Sequence, residues 1–132
     1  PCGTLFPYTT LFRSGDIPQI ECIPGKINQL FMNILANAVQ AIEGKGKITI
    51  KTAFDNKNVI ISIKDTGKGM DDATKKRIFE PFFTTKDADT GTGLGLSISL
   101  DIIKLHKGSI NVKSKPGNGS EFIISLPVSQ SA

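Results

Sequence analysis

The chain has 132 residues, 39% hydrophobic and 21% charged, with a formal net charge of +4, which is the ordinary composition of one globular domain. No apolar run approaches the roughly 20 residues that span a bilayer, and no secretory signal is evident. The lysines are scattered, which argues against nucleic-acid binding. Two cysteines without CxxC spacing and a single histidine exclude a zinc framework and favour a reducing compartment.

The first fourteen residues are unlike the rest of the chain. Residues 4–14 have neither the alternation of a strand nor the period of a helix, and they resemble an in-frame translation of a short-read sequencing adapter. We therefore expect residues 1–14 to be a non-native segment, excluded from the fold prediction, on a gene truncated upstream. Residues 15–132 then form the domain. A natural N-terminal arm or interdomain linker is the alternative.

Beyond that segment, hydrophobic periodicity predicts alternating strands and helices. In chain order these are a strand (18–23), a helix (26–42), a hairpin (47–53 and 59–64), a short helix (71–78), a polar loop (84–92), a long helix (96–107) and a second hairpin (109–113 and 121–126). Asp71 or Asp72 is available to cap the short helix. Antiparallel strands with helices collected on one face predict an α+β fold, a two-layer sandwich.

The strongest chemical signal is the run Gly91-Thr92-Gly93-Leu94-Gly95-Leu96, which leads into the second long helix. Closely spaced glycines let a backbone approach a ligand, and a helix N-terminus directs unpaired N–H groups at it, so a phosphate is the usual ligand. The chain has no GxxxxGKS or GxxxxGKT sequence, which excludes a P-loop. The run is GxGxG after a polar loop rather than GxGxxG after a strand, which excludes a Rossmann fingerprint.

Two further polar features precede that run. Gln29, Asn33, Asn37 and Gln40 share one face of the first predicted helix. That stripe is either a solvated face or a set of carboxamide ligands for Mg²⁺ already neutralised by phosphates. Asp65 ends a predicted strand ahead of two glycines, where it is either an ordinary turn residue or an acceptor for an exocyclic amine of a flat ring lying on the glycine backbone.

Together these motifs resemble the catalytic ATP-binding domain of bacterial sensor histidine kinases, within the gyrase, MutL and histidine kinase ATPase superfamily. The resemblance extends from about Pro18 to Pro127 and implies a Bergerat-type fold with a mixed, mostly antiparallel sheet. Five motifs occur in the order of the family: an asparagine box (28–41), a first glycine box (65–70), a phenylalanine box (78–86), a second glycine box (91–97) and a third glycine box (117–122).

The resemblance implies a role for each matching residue. Asn37 would ligate Mg²⁺ with help from Asn33, and Lys86 would contact the terminal phosphate, so Asn33 and Lys86 are the catalytic candidates. Residues 83–93 would form an ATP lid. The other implied ATP contacts are Gln40, Gly91, Thr92, Gly93, Leu94, Gly95 and Leu96 on the phosphate side, and Asp65 (adenine amino group), Gly67 and Gly69 (room for the base), Met70 (pocket wall) and Ser120 (adenine edge).

One position separates kinases from hydrolases in this superfamily. Hydrolytic relatives carry a glutamate, the general base for water, four residues before the metal-binding asparagine. The residue here is Asn33, which takes no proton at neutral pH. The resemblance therefore implies transfer of the γ-phosphoryl group to a histidine in two-component signalling. The alternatives are a non-catalytic nucleotide-binding module and a superfamily ATPase.

The resemblance also implies partners. The acceptor histidine would belong to a helical-hairpin dimerisation domain upstream, and His106 is expected to be a structural residue near the carbonyl end of its helix. A response regulator receiver domain would take the phosphoryl group from a homodimeric parent. We expect a cytoplasmic domain that contacts neither nucleic acid nor the membrane directly. Anchoring of the parent protein in the inner membrane is compatible with this expectation.

Overall fold

The computed structural model describes residues 8–14, 18–84 and 94–129. In these ranges the elements are β1 (Tyr8–Ser14), α1 (Pro24–Ala41), β2 (Gly46–Phe54), β3 (Asn58–Asp65), α2 (Asp72–Arg77), α3 (Gly95–Leu105), β4 (Ser109–Ser114) and β5 (Ser120–Pro127). Both long helices, both hairpins and the short helix of the prediction are confirmed, with ends shifted by at most two residues. Within the same ranges, no helix combines the length and hydropathy needed to cross a membrane.

The strands form one mixed sheet in the order β1-β2-β3-β5-β4. β1 runs parallel to β2, and the other neighbours are antiparallel. Inward-facing residues alternate with half-buried ones along β5, and α1 and α3 pack together against the inner face. The predicted α+β two-layer sandwich is therefore confirmed.

The core lies between this sheet and the two long helices. α1 contributes the fully buried Leu30, Ile34 and Ala38, which recur every fourth residue and so share one helix face. The buried side chains that complete the core are Ile48, Val59, Ile61, Ile63, Ile78, Ile102, Ile103, Phe122, Ile124 and Leu126. Burial of this apolar surface is the main force that holds the helices on the sheet.

The predicted strand over residues 18–23 is wrong. This segment has no regular structure, and its backbone makes a hydrogen bond from the Glu21 N–H to the Val128 carbonyl at 2.9 Å. α1 begins at Pro24, two residues earlier than predicted, because proline is well suited to the first turn of a helix, where its missing N–H would be unpaired in any case.

β1 lies in the segment that the sequence pattern excluded from the fold. It pairs with β2 from Tyr8 opposite Gly46 to Ser14 opposite Thr52. An edge strand presents unpaired N–H and C=O groups to any extended backbone, so this pairing requires no apolar alternation in the added strand. The sequence pattern consequently gave no sign of β1. The adapter origin of residues 1–14 stays a prediction.

Candidate functional site

The site is built around Asp65, the last residue of β3. Its side chain is buried, with 1% of its surface exposed. One carboxylate oxygen, Oδ1, accepts hydrogen bonds from the backbone N–H groups of Gly67 at 2.8 Å and Ser120 at 3.3 Å. The other oxygen, Oδ2, is buried without a hydrogen-bond partner among the described residues. A buried acceptor of this kind is costly unless a ligand supplies a donor.

Burial also changes the acidity of this group. Desolvation raises the pKa of the Asp65 carboxyl above its usual value, and the N–H groups of Gly67 and Ser120 partly oppose this effect. A donor at Oδ2 would favour the ionised form and offset the cost of desolvation. The chemistry of the site therefore suits an N–H donor at Oδ2.

Three glycines allow the backbone to approach itself closely around Asp65. A Cβ on Gly67 would lie 2.6 Å from the Ala41 carbonyl carbon at the end of α1. Gly69 and Gly119 have φ values of +70° and +74°, and a Cβ on either would collide with a backbone carbonyl oxygen. The resemblance implies that Gly67 and Gly69 make room for a base, whereas the geometry gives both a packing role that the sequence did not reveal.

A pair of serine hydroxyls lies beside these glycines. The Ser114 hydroxyl accepts from the Met70 N–H at 2.8 Å and donates to the Gly119 carbonyl at 2.9 Å. The Ser114 and Ser120 oxygens are 2.8 Å apart. Because the single proton of Ser114 is directed to Gly119, the Ser120 hydroxyl donates to Ser114 and keeps lone pairs for an external donor.

Ser114 was missed by the sequence reasoning. A signal was available, since it occupies the inward-facing position after Ile110 and Val112 in β4. A polar residue that breaks an apolar alternation at the end of a strand indicates a polar contact inside the sheet.

The polar stripe of α1 divides into two pairs. Gln29 and Gln40 are exposed, whereas Asn33 and Asn37 are half-buried. The Asn33 amide Nδ2 donates to the Gly95 carbonyl at 3.1 Å, which ties α1 to the beginning of α3. This bond uses the amide nitrogen and leaves the carboxamide oxygen of Asn33 available as a hard ligand.

The phosphate-side candidates begin at the start of α3. Leu94 is the N-cap residue and makes no side-chain cap, so the N–H groups of the first helical turn have no side-chain acceptor from that residue. Gly95 and Leu96 are the first helical residues. The candidates Lys86, Gly91, Thr92 and Gly93, together with most of the predicted lid, lie outside the described residues.

α1 connects the two halves of the site. At its C-terminal end the Ala41 carbonyl accepts the Lys68 N–H at 2.9 Å, next to Asp65. In its middle, Asn33 contacts Gly95. The structure thus joins Asp65, Gly67, Gly69, Met70 and Ser120 in one cluster and places the α3 N-terminus at a second point along the same helix.

This architecture, a two-layer sandwich with a buried aspartate at a strand end and a helix N-terminus beside an asparagine-bearing helix, belongs to a known class of ATPase. The histidine kinase-, DNA gyrase B-, and HSP90-like ATPase family matches residues 23–130. The chain therefore belongs to this family, and within it to the catalytic ATP-binding domains of histidine kinases.

The relatives give the comparison its detail. Sporulation kinase E of Bacillus subtilis (strain 168) is 50% identical over 119 residues, which cover 89% of this chain and 16% of that protein. Signal transduction histidine-protein kinase AtoS of Escherichia coli (strain K12) is 49% identical over 103 residues, which cover 77% and 17%. The chain thus spans about a sixth of the length of these relatives.

Solved structures show the same fold. A nucleotide-free catalytic domain of histidine kinase ThkA superposes with a TM-score of 0.81 at 34% identity, covering 92% of this chain and 81% of that one. Full-length ShkA in complex with AMPPNP gives a TM-score of 0.81 at 30% identity, covering 95% of this chain and 26% of that one.

Proposed function

We propose that this domain binds Mg-ATP with the adenine amino group on Asp65, and that its parent protein transfers the γ-phosphoryl group to a histidine. The observation that carries the proposal is the buried Oδ2 of Asp65, which has no partner among the described residues. An exocyclic amine would supply the missing donor. The AMPPNP in the ShkA structure, an ATP analogue bound by a relative of the same fold, supports the same conclusion.

The site favours adenine over guanine. Adenine carries an amino group at C6, which donates to a carboxylate, whereas guanine carries a carbonyl there, which would face the Asp65 oxygen as a second acceptor. A site built to pair with a donor rejects a ligand that lacks it, because the buried group is then left unpaired. The Ser120 lone pairs offer a second acceptor at the same end of the site.

The phosphates would lie at the α3 N-terminus, facing α1. Asn37 would ligate Mg²⁺ through its carboxamide oxygen, with Asn33 and Gln40 close to the phosphates, and Lys86 would contact the terminal one. When bound, Mg²⁺ neutralises charge on the phosphate oxygens. The residues present suit this ion, since carboxamide oxygens are hard ligands.

The fate of the γ-phosphoryl group then depends on the group that receives it, which is either water or an imidazole. Asn33 supplies no general base for water, so the bound nucleotide would be hydrolysed slowly. An imidazole is a nucleophile without such a base, and the remaining catalysis is positioning and electrostatic stabilisation. We infer an acceptor helical hairpin in a homodimeric parent, a receiver domain downstream in the relay, and a cytoplasmic location. The relatives carry kinase names consistent with these roles.

The test combines binding with transfer. The chain should bind Mg-ATP and not Mg-GTP by calorimetry, and should phosphorylate the helical-hairpin domain of its parent in an acid-labile manner. Asn37→Ala should abolish both binding with Mg²⁺ and transfer, whereas Gln29→Ala, an exposed residue of the same helix, should change neither. Repeated ATP turnover by the isolated chain, unaffected by Asn33→Ala, would favour a superfamily ATPase. Binding without transfer would favour a non-catalytic nucleotide module.

A further inference from the structure

His106 is a buried residue that the proposed chemistry does not use. It follows the last residue of α3, and 3% of its surface is exposed. Its Nε2 lies 3.0 Å from the Ile23 backbone nitrogen, and its Nδ1 lies 2.8 Å from the Ile102 carbonyl oxygen. Sequence reasoning expected a structural residue near the helix carbonyls, which the Ile102 contact confirms. The contact with Ile23 was not expected.

These two contacts fix the tautomer of the ring. The Ile23 backbone N–H can only donate, so Nε2 must accept and carries no proton. The proton of the neutral ring is then on Nδ1, which donates to the Ile102 carbonyl in the last turn of α3. Ile23 is the N-cap residue of α1 and has no side chain that could cap the helix. His106 therefore joins the C-terminal end of α3 to the N-terminal end of α1.

A second polar contact joins the same helices at the other end of α3. Asn33 of α1 donates to the Gly95 carbonyl, which also accepts the Ser99 hydroxyl at 2.8 Å. At 1.5 Å per residue, the two contact points are separated by about 15 Å along α1 and about 16 Å along α3. The helices are thus antiparallel, and the Ile23–His106 and Asn33–Gly95 hydrogen bonds lie at the two ends of this shared length.

Leu30 of α1 and Ile103 of α3 lie between these bonds along their helices, and both belong to the buried apolar core. Aliphatic contacts of this kind are non-directional and tolerate small axial displacements. A hydrogen bond to a fixed backbone N–H does not tolerate them, because its strength falls steeply with distance and angle. The axial position of α3 on α1 therefore depends on His106 and Asn33.

We infer that His106 is a positioning residue for the phosphate side of the nucleotide site. By holding the far end of α3, it sets the position of the helix N-terminus relative to Asn37. This inference rests on the proposed binding of Mg-ATP. The adenine cluster around Asp65 is formed by β3, β4, β5 and the end of α1, so it does not depend on α3.

Two substitutions each retain only one of the two hydrogen bonds that the His106 ring makes. His106→Gln places a carboxamide oxygen near the position of Nε2 and retains an acceptor for the Ile23 N–H. His106→Asn is too short to reach Ile23, but it retains a donor near the position of Nδ1. Lys104→Ala, at an exposed position of the same helix, is the matched control. Amide hydrogen exchange at Ile23 shows directly which variants keep the bond.

The measurement is the affinity of the full chain for Mg-ATP and for adenosine. We expect His106→Asn to weaken Mg-ATP binding about three- to tenfold, the equivalent of one neutral hydrogen bond, with adenosine binding unchanged and Ile23 exchanging faster. His106→Gln and Lys104→Ala should retain the wild-type ratio of the two affinities and the wild-type exchange at Ile23.

The outcomes distinguish this inference from the proposed function. Equal losses for Mg-ATP and adenosine in His106→Asn, or faster Ile23 exchange without a loss of Mg-ATP affinity, would overturn the positioning role and leave the proposed function intact. If the wild-type chain binds neither ligand, both fail. If His106→Asn does not fold, His106→Gln provides the test. A ratio of Mg-ATP affinity to adenosine affinity that differs from the wild-type ratio in His106→Gln would contradict the role of the Ile23 bond.

Discussion

Replacing Asp65 by asparagine changes the charge at the centre of the site while keeping the shape of the side chain. The orientation of the new amide is determined by its surroundings. Its oxygen must face the N–H groups of Gly67 and Ser120, which Oδ1 accepts in the native protein. The amide NH₂ then occupies the position of Oδ2 and presents a donor to the adenine amino group, which is also a donor.

The loss in affinity follows from that mismatch. A hydrogen bond to a charged group contributes about 1.5–3 kcal/mol. Losing it should weaken Mg-ATP binding roughly tenfold to a hundredfold, because each 1.4 kcal/mol is about a factor of ten. Titration calorimetry with the full chain measures this directly. Asp101→Asn, which makes the same chemical change at an exposed position of α3, should leave the affinity unchanged.

The same substitution should not destabilise the ligand-free protein. Burial raises the pKa of folded Asp65 above its ordinary value of 3.8, so the folded protein binds this proton more readily than the unfolded chain does. The ionised carboxylate therefore costs stability above the folded pKa, and this cost disappears as the pH falls through that pKa. The melting temperature of Asp65→Asn minus that of the wild type should therefore be largest near pH 7. This difference should decrease as the pH falls toward 3.8.

Binding and melting data together can refute this reasoning. Unchanged Mg-ATP affinity would remove Asp65 from the adenine site. A weaker affinity accompanied by a large fall in melting temperature at pH 7 would instead show that the carboxylate mainly supports the fold.

Three further substitutions test the packing described above by chemical denaturation. Gly119→Ala should destabilise the domain by at least about 2 kcal/mol, because φ is +74° and the new Cβ would collide with the Asp65 carbonyl; an unchanged midpoint would contradict the close approach. Lys107→Gly should stabilise it by up to about 1 kcal/mol, since Lys107 has φ of +59° at the second residue after α3, immediately beyond the C-cap His106; a loss would show that the lysine side chain outweighs the backbone strain. Leu30→Ala should cost about 2–5 kcal/mol at a fully buried position of α1; a loss below 1 kcal/mol would show that the core collapses around the cavity.

Local patterns were sufficient to predict most of the fold. The spacing of Leu30, Ile34 and Ala38 indicates α1 because one face of a helix must be apolar to join a core. The two hairpins follow from alternation, which is equally local. β1 could not be predicted, because edge pairing depends on backbone groups that every sequence carries.

The site was predicted less completely than the fold. Asp65 was chosen from its place at a strand end; it is buried, its Oδ2 has no partner among the described residues, and its contact with adenine stays a prediction. The contact of Gly67 with Ala41 and the hydrogen bond from the Met70 N–H to Ser114 join segments that are distant in sequence, so a local pattern could not specify these partners, although the break in the apolar alternation of β4 marked Ser114 itself. The assignments of Lys86 and the glycines before Leu94 concern residues outside the described ranges and stay predictions.

The position of α1 has a mechanical consequence for any ligand that occupies both halves of the site. This helix extends for about 27 Å as a single rod, with the turn after Asp65 at one end and the start of α3 near its middle. A tilt or axial shift of the rod must displace both attachments at once. A nucleotide that contacts the protein through both its base and its phosphates therefore acts on α1 at two points. Adenosine and inorganic triphosphate, added as separate molecules, are then each expected to change the affinity of the protein for the other.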